Sequence, residues 1–381
     1  MPLPHPYPRG WYRFRYSHEM RPGEVVTGRF FGKDLVGFRT ASGRACVVDS
    51  HCTHLGAHLG DGRVEGETLE CPFHGWCWDG DGRCTHVPFA ERIPPRAALG
   101  AYEVIERNGI VYLWHDTTGG APDFDVPVAP EVEDPGWMRV WVHRQVIRSH
   151  IQEPRENACD VAHTPVLHAR SFPMYPGMTP EIKNWSEDAE ARTLRFDICG
   201  YTGRPGSPPV ENPSTFAFAG PGHATMRMER PLPLLFLFPL TPVDDEHLVF
   251  TMMVYTRRRS RLPLVDKLLG RLAAKRFTMA LREDYTIFNR KVFYDEPVLS
   301  SADGPIHRLR NWMKPFYPPA EEDAAAGAGE GDTATGAADH AGRENGAAPR
   351  PVSPPSAARS RGRAATGDRS ASRAMDGTGP S

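Results

Sequence analysis

The sequence predicts an α+β protein of two domains and a tail, on three observations. Short apolar runs separated by Gly and polar turn residues fill roughly the first 115 residues, the pattern of a small antiparallel β domain. A second set of alternating runs fills residues 185–256. A helical period runs through residues 261–294. An antiparallel sheet with helices on one side is the arrangement the last two imply. The expected divisions are a β domain over 1–116, a connection over 117–136, a second domain over 137–319 and a tail over 320–381.

The first strands are expected at Trp11–Tyr16, Val25–Phe31, Leu35–Arg39 and Ala45–Asp49, then at Tyr102–Arg107 and Ile110–His115. Asn108-Gly109 separates the last two, a strong hairpin signal. The connection is rich in Pro, Asp and Gly. The second domain opens with a strand at Trp137–Ile147 and continues with Thr193–Cys199, Ser214–Ala219, Ala224–Glu229, Leu234–Phe238 and His247–Tyr255. Phe216, Phe218, Met226, Met228, Phe236 and Phe238 recur at spacing two; most are expected in the core, some against a substrate pocket. From Ala320 onward, Val352 and Met375 are the only larger aliphatic residues and no aromatic occurs, so the tail is expected to be disordered.

The chain has 381 residues and a net charge of −2, which offers no electrostatic case for nucleic acid or an anionic membrane. Seven Cys fit a reducing compartment better than a disulfide scaffold. The N-terminal MPLPHPYPRGWYRF has no apolar signal region, and the longest apolar run, Leu232–Leu240, is too short to span a bilayer. A cytoplasmic protein with no membrane span is expected.

Two ligand pairs lie at the centre of the first domain. Cys52-x-His54 and Cys71-x-x-His74 are separated by sixteen residues. Two thiolates and two imidazoles suit a [2Fe–2S] cluster in which one iron takes sulfur and the other nitrogen, a Rieske centre. Zinc is the alternative, but zinc pairs usually repeat one spacing. Gly56, Gly60, Pro72 and Gly75 place both pairs on tight loops. Cys77 and Cys84 read as packing or spare thiols, and His51, His58 and His86 as loop histidines or supports for the ligands.

A second dense stretch, QEPRENACDVAHTPVLH over 152–168, carries Glu153, Glu156, Asn157, Asp160, His163 and His168. At spacing three, Asn157, Asp160 and His163 are expected on one helix face, with the helix bending or ending at Pro165. Two His converging from such a bend can take two positions on a metal that also needs one carboxylate and leaves room for O₂. Asp284 is the candidate carboxylate. It falls on an apolar stripe of Leu264, Leu268, Leu272, Phe277, Leu281, Ile287 and Phe288, where an unpaired charge is costly. Glu283 lies off that stripe and is the weaker candidate.

Both stretches resemble the Rieske non-haem iron oxygenases, and the likeness covers most of residues 8–319. The respiratory Rieske proteins carry an extra disulfide where this chain has Ala57 and Phe73. The pattern Asn157-x-x-Asp160-x-x-His163-x₄-His168 with a distant Asp284 matches the family's catalytic domain. CPFHGWCWDGDGRC with VPFA (71–90), Trp114-His115-Asp116 and RLRNWMKPFYP (308–318) look closest to the 3-ketosteroid 9α-hydroxylase and cholesterol 7-desaturase branch. The chain departs from that branch at His163-Thr164-Pro165, where bulky apolar residues are expected.

The resemblance implies a helix-grip catalytic domain, one Rieske cluster per subunit on Cys52, His54, Cys71 and His74, and one mononuclear Fe(II) on His163, His168 and Asp284. Asp160, with Asn157 beside it, would link the two centres across the subunits of a homotrimer. A flavin and iron–sulfur reductase would supply electrons, directly or through a ferredoxin. O₂ would then be used to hydroxylate, or desaturate, an apolar polycyclic steroid-like substrate. A tailoring oxygenase of secondary metabolism is the alternative within enzymes. A Rieske electron carrier is the alternative outside them, but it would end near residue 115, and more than 200 further residues follow.

Overall fold

A computed structural model describes residues 7–171, 179–202, 208, 210–259 and 262–318. The expectation of disorder over 320–381 lies outside these residues. The described residues fall within one unit, residues 1–324.

Every strand pairing is antiparallel. Val25–Phe30, Lys33–Arg39, Ala45–Asp49 and Ala101–Tyr102 form a four-stranded sheet in that order. The stretch carrying the ligand pairs builds a second small sheet from Arg63–Glu65, Thr68–Glu70, Cys77–Trp78 and Cys84–His86. These pieces enclose a compact core that includes Val36, Phe38, Val48, Leu59, Leu69 and Trp78.

A third sheet orders Gly10–Tyr16, Ile110–His115 and Val104–Arg107. Its hairpin turns at Asn108 (φ 56°) and Gly109 (φ 70°), the two left-handed positions a two-residue type I′ turn needs. The buried Asn108 side chain accepts from the Ala129 N–H and donates to the Pro127 carbonyl, tying the connection onto the hairpin. This sheet packs into the larger core: Tyr12, Phe14, Val111 and Leu113 are buried in one cluster with Leu235, Phe236 and Met252.

Among the described residues the second domain's sheet has eight strands. Trp137–Arg148 pairs with His247–Arg257, followed in order by Leu234–Leu237, His223–Met228, Val210–Ala219, Thr193–Thr202 and Glu181–Asp188, with Leu240–Pro242 also against His247–Arg257. Glu181–Asp188 is a strand the sequence pattern did not reveal. Among the described residues four helices accompany the sheet: α1 (Gln152–Cys159), α2 (Thr164–Leu167), α3 (Pro263–Phe288) and α4 (Ile306–Met313).

Two helix expectations need correction. Asn157, Asp160 and His163 do not share one helix. α1 stops at Cys159, Asp160 takes an extended conformation (ψ 92°), and its carboxylate accepts from the Ala162 N–H. That local bond competes with helix continuation. The chain breaks before Pro165, which then sits in the first turn of α2, where its missing N–H costs nothing.

The stripe drawn on α3 is also only half right. Leu264, Leu268, Leu272 and Ile287 are 79%, 58%, 56% and 47% exposed. The first half of α3 instead buries Gly270, Ala274 and Thr278. Small residues let the helix approach the sheet closely: a Cβ on Gly270 would lie 3.0 Å from Thr256 Cγ2 and 3.2 Å from Val140 Cγ1. Beyond Thr278 the drawn stripe does reach the interior, and Leu281, Asp284, Tyr285 and Phe288 are buried.

Candidate metal centres

The two Cys/His loops share one construction. The Cys52 N–H donates to the Ala57 carbonyl and the Gly56 N–H returns to the Cys52 carbonyl, at 2.9 Å each. In the other loop Cys71 pairs with Trp76 at 2.8 Å and Gly75 with Cys71 at 3.1 Å. Gly56 (φ 76°) and Gly75 (φ 71°) supply the left-handed residue that closes each turn. Both thiols are 2% exposed, whereas His54 is half-buried and His74 exposed. The imidazole rings meet edge to face at 4.7 Å, and His54 stacks on Trp76 at 4.5 Å.

The donor set fits a cluster with its thiolate iron inward and its imidazole iron at the surface. Burial, opposed by the His54 backbone N–H and reinforced by neighbouring Cys71, pushes the Cys52 thiol up to about 11. Ligation must therefore displace a proton, and the Trp78 indole N–H beside that thiol favours its charged form. No disulfide joins any two of the seven cysteines. Cys77 and Cys84 point at the Gly75 and His86 carbonyls, and His58 accepts from the Gly60 N–H. His51 bonds to Ser50 Oγ, while His86 is exposed at a strand end.

In the second domain, His163, His168 and Asp284 each offer a ligand atom, all within 4.8 Å of one another. Asp284 Oδ1 lies 3.1 Å from His168 Nε2 and 3.9 Å from His163 Nε2. That oxygen is buried without a hydrogen-bond donor, so a cation facing the two Nε2 atoms fits what the site lacks. His163 precedes α2 and His168 follows it, so one short helical turn brings the two rings to 5.1 Å.

Each histidine has a carboxylate behind it. Asp160 Oδ2 stands 3.5 Å from His163 Nδ1. Burial would raise the Asp160 pKa, but the His163 imidazole outweighs it and holds the carboxyl low. Glu283 Oε2 lies 2.8 Å from His168 Nδ1, and its other oxygen accepts from Ser171 Oγ at 2.8 Å. Burial opposes protonation of His168, yet Asp284 and Glu283 together raise its pKa. Glu283 is thus a support for His168, a role sequence reading missed; its place next to Asp284 was the available signal.

A buried network fixes α1. Arg310 of α4 grips Glu156 with two bonds of 2.8 and 3.1 Å, Gln152 donates to Glu156 at 2.7 Å, and Tyr317 donates to Gln152 at 2.9 Å. The 308–318 signature therefore acts by holding the helix that leads to Asp160 and His163. Arg310→Ala is expected to lower stability by about 3 kcal/mol, read by denaturant unfolding, because the buried Glu156 carboxylate loses its partner.

A cavity of about 310 Å³ reaches Asn157, Asp160, His163, His168 and Asp284. Its wall includes Phe216, Phe218, Met226, Met228 and Phe238; Phe236 alone of the spacing-two set is absent. As expected the set lies in the core, with Phe218, Met226, Phe236 and Phe238 buried in the main cluster and Phe216 and Met228 packed against it, but more of its members also line the cavity than the pattern suggested. The sheet face turned toward α1 and α3 is both core and pocket wall.

Residues 10–100 match the Rieske [2Fe-2S] domain, and residues 113–317 match the 3-Ketosteroid 9alpha-hydroxylase C-terminal domain. By class the chain is the oxygenase component of a Rieske-type monooxygenase, an oxidoreductase. Within that class it belongs to the 3-ketosteroid 9α-hydroxylase family, close to the cholesterol 7-desaturases. It is 31% identical over 337 residues to a probable 3-ketosteroid-9-alpha-monooxygenase oxygenase component of Rhodococcus rhodochrous, covering 84% of this chain and 82% of that protein. A cholesterol 7-desaturase of Xenopus laevis is 28% identical over 348 residues, covering 83% and 73%. The solved structure of NdmB from Pseudomonas putida CBB5 aligns with a TM-score of 0.66 at 19% identity, covering 82% of this chain and 93% of that one, a likeness of fold.

Proposed function

We infer that this oxygenase acts on the C–H bonds of an apolar polycyclic, steroid-like molecule, hydroxylating it or, with the same donor set, desaturating it. The observation that carries this reading is the phenylalanine- and methionine-lined cavity ending on His163, His168 and Asp284. Cys52, His54, Cys71 and His74 would hold the [2Fe–2S] cluster, and His163, His168 and Asp284 one Fe(II). Iron bound there supplies O₂ activation, with electrons from a flavin and iron–sulfur reductase, directly or through a ferredoxin.

The chain's own residues do the rest. Asp160 and Glu283 orient the two imidazoles through Nδ1, leaving Nε2 for the metal. Phe216, Phe218 and Phe238 exclude water and press an apolar ring system toward the histidines, while Asn157 gives the cavity a polar contact near them. The proposed subunit organisation is a homotrimer with Asp160 at the junction of two subunits, in the cytoplasm. The proposed chain divisions are a Rieske domain over 1–116, a connection over 117–136 and a catalytic domain over 137–319.

Purified protein is expected to be red-brown with about three iron per chain, two in the cluster and one at the mononuclear site. With a surrogate reductase, NADH and O₂ consumption should rise with 3-ketosteroids or sterols, and product mass should separate hydroxylation from desaturation. Turnover confined to other polycyclic natural products would favour the tailoring alternative. Zinc in place of iron, without visible absorbance, would defeat the metal assignment.

A further inference from the structure

We propose that the outer face of the first half of α3 docks the protein onto an anionic lipid surface. A helix on a sheet normally turns its apolar side inward and its polar side to water. α3 does the reverse between Pro263 and Met279. Its inner face is Gly270, Ala274 and Thr278, while Leu264, Val265, Leu268, Leu272 and Met279 are 79%, 43%, 58%, 56% and 52% exposed. Leu264, Leu268 and Leu272 follow at spacing four, so they form one continuous ridge.

The charges flanking the ridge are of one sign. Lys267, Arg271, Lys275 and Arg276 are exposed around it, and Arg257, Arg258 and Arg259 precede the helix. The acid in this stretch, Asp266, is buried and accepts from the Arg259 N–H. The chain's net charge of −2 thus conceals a strongly basic, apolar-centred face.

Charge complementarity selects the occupant. A second copy presenting the same face would set the basic rows against each other and repel, and the head-to-tail contact proposed for the homotrimer is placed instead at Asp160, His54 and His74. A layer of anionic headgroups accepts the Lys and Arg ends while the acyl boundary accepts the leucine ridge, the arrangement of a helix lying in the interface plane. No described helix is long and apolar enough to cross a membrane, so this would be surface docking. The second half of the same helix lines the cavity with Phe277, Leu281 and Asp284. Docking would therefore hold the cavity near a reservoir of dissolved apolar molecules; this last link alone rests on the proposed substrate class.

The test is flotation of the full-length, iron-loaded protein with vesicles. Wild type is expected to float with mixed phosphatidylcholine and phosphatidylglycerol vesicles, to stay behind with phosphatidylcholine alone, and to be released by salt. Lys275→Glu should weaken partition by about fivefold or more. The double variant Leu268→Glu, Leu272→Glu should abolish it. Both should keep the cluster absorbance and melting temperature of wild type, because the altered side chains face solvent. The proposal is overturned if wild type ignores anionic vesicles, if it binds neutral ones equally, or if the variants float as wild type does. It is equally overturned if the double variant merely dissociates a larger oligomer while no form binds vesicles, which would assign the ridge to a second copy.

Discussion

Asp160→Asn is expected to leave both metal sites occupied and to reduce substrate-dependent turnover nearly to zero. Asp160 is placed for such a role by what it does not bury. One carboxylate oxygen is held by the Ala162 N–H, the other faces His163 Nδ1 at 3.5 Å, and 30% of the side chain remains exposed. A carboxylate held by its own backbone, touching a ligand histidine and still open on one side can accept a further N–H from outside. In the proposed homotrimer this N–H would belong to His54 or His74 of a neighbouring subunit in a head-to-tail ring, since such an interface closes by rotation. The exposed His74 and half-buried His54 leave their rings accessible for that contact. Asn keeps the size but replaces one acceptor with an amide donor and removes the charge that fixes both imidazole tautomers. The expected signature is a cluster still reduced by the reductase in a variant that does not turn over. Wild-type turnover in Asp160→Asn, or a wild-type protein fully active as a monomer at assay concentration, would defeat the cross-subunit role.

What could be read from the sequence is what depends on short spacing. The Cys52/His54 and Cys71/His74 pairs announce themselves because each is one tight turn whose glycines are forced by backbone geometry. The Asn108-Gly109 hairpin is legible for the same reason. Asp284 stands out as a candidate because a carboxylate at a buried helical position is costly without a positive partner. Features set by tertiary contact were misread. Leucines at spacing four look like a core stripe, but Gly270 and Ala274 decide which side of α3 meets the sheet. The helical period through Asn157 and His163 ignores a side chain, Asp160, that caps the backbone two residues on. Phe216 and Met226 show the same alternation whether they meet another side chain or a cavity, so only the position of α1 and α3 separates the cases. Glu283 was passed over because its partners, His168 and Ser171, lie more than a hundred residues away in sequence.

Asp284→Ala is expected to empty the second metal site while leaving the Rieske spectrum intact, lowering iron from about three to about two per chain. Asp284 is 4% exposed, and its Oδ1 has two imidazole Nε2 atoms before it and no hydrogen-bond donor. Burying a carboxylate in that state is unfavourable unless a cation completes it. Alanine removes the charge that the two neutral imidazoles cannot replace, so a divalent ion loses its anionic ligand. The neighbouring carboxylate gives the control. Glu283 touches His168 through the opposite ring nitrogen, so Glu283→Ala should weaken iron binding by about 10- to 100-fold rather than abolish it. Added Fe(II) should then restore turnover in Glu283→Ala and fail to do so in Asp284→Ala. If Asp284 were an ordinary ion-paired core residue, its alanine variant would keep its iron and lose only stability, and the ligand assignment would fall.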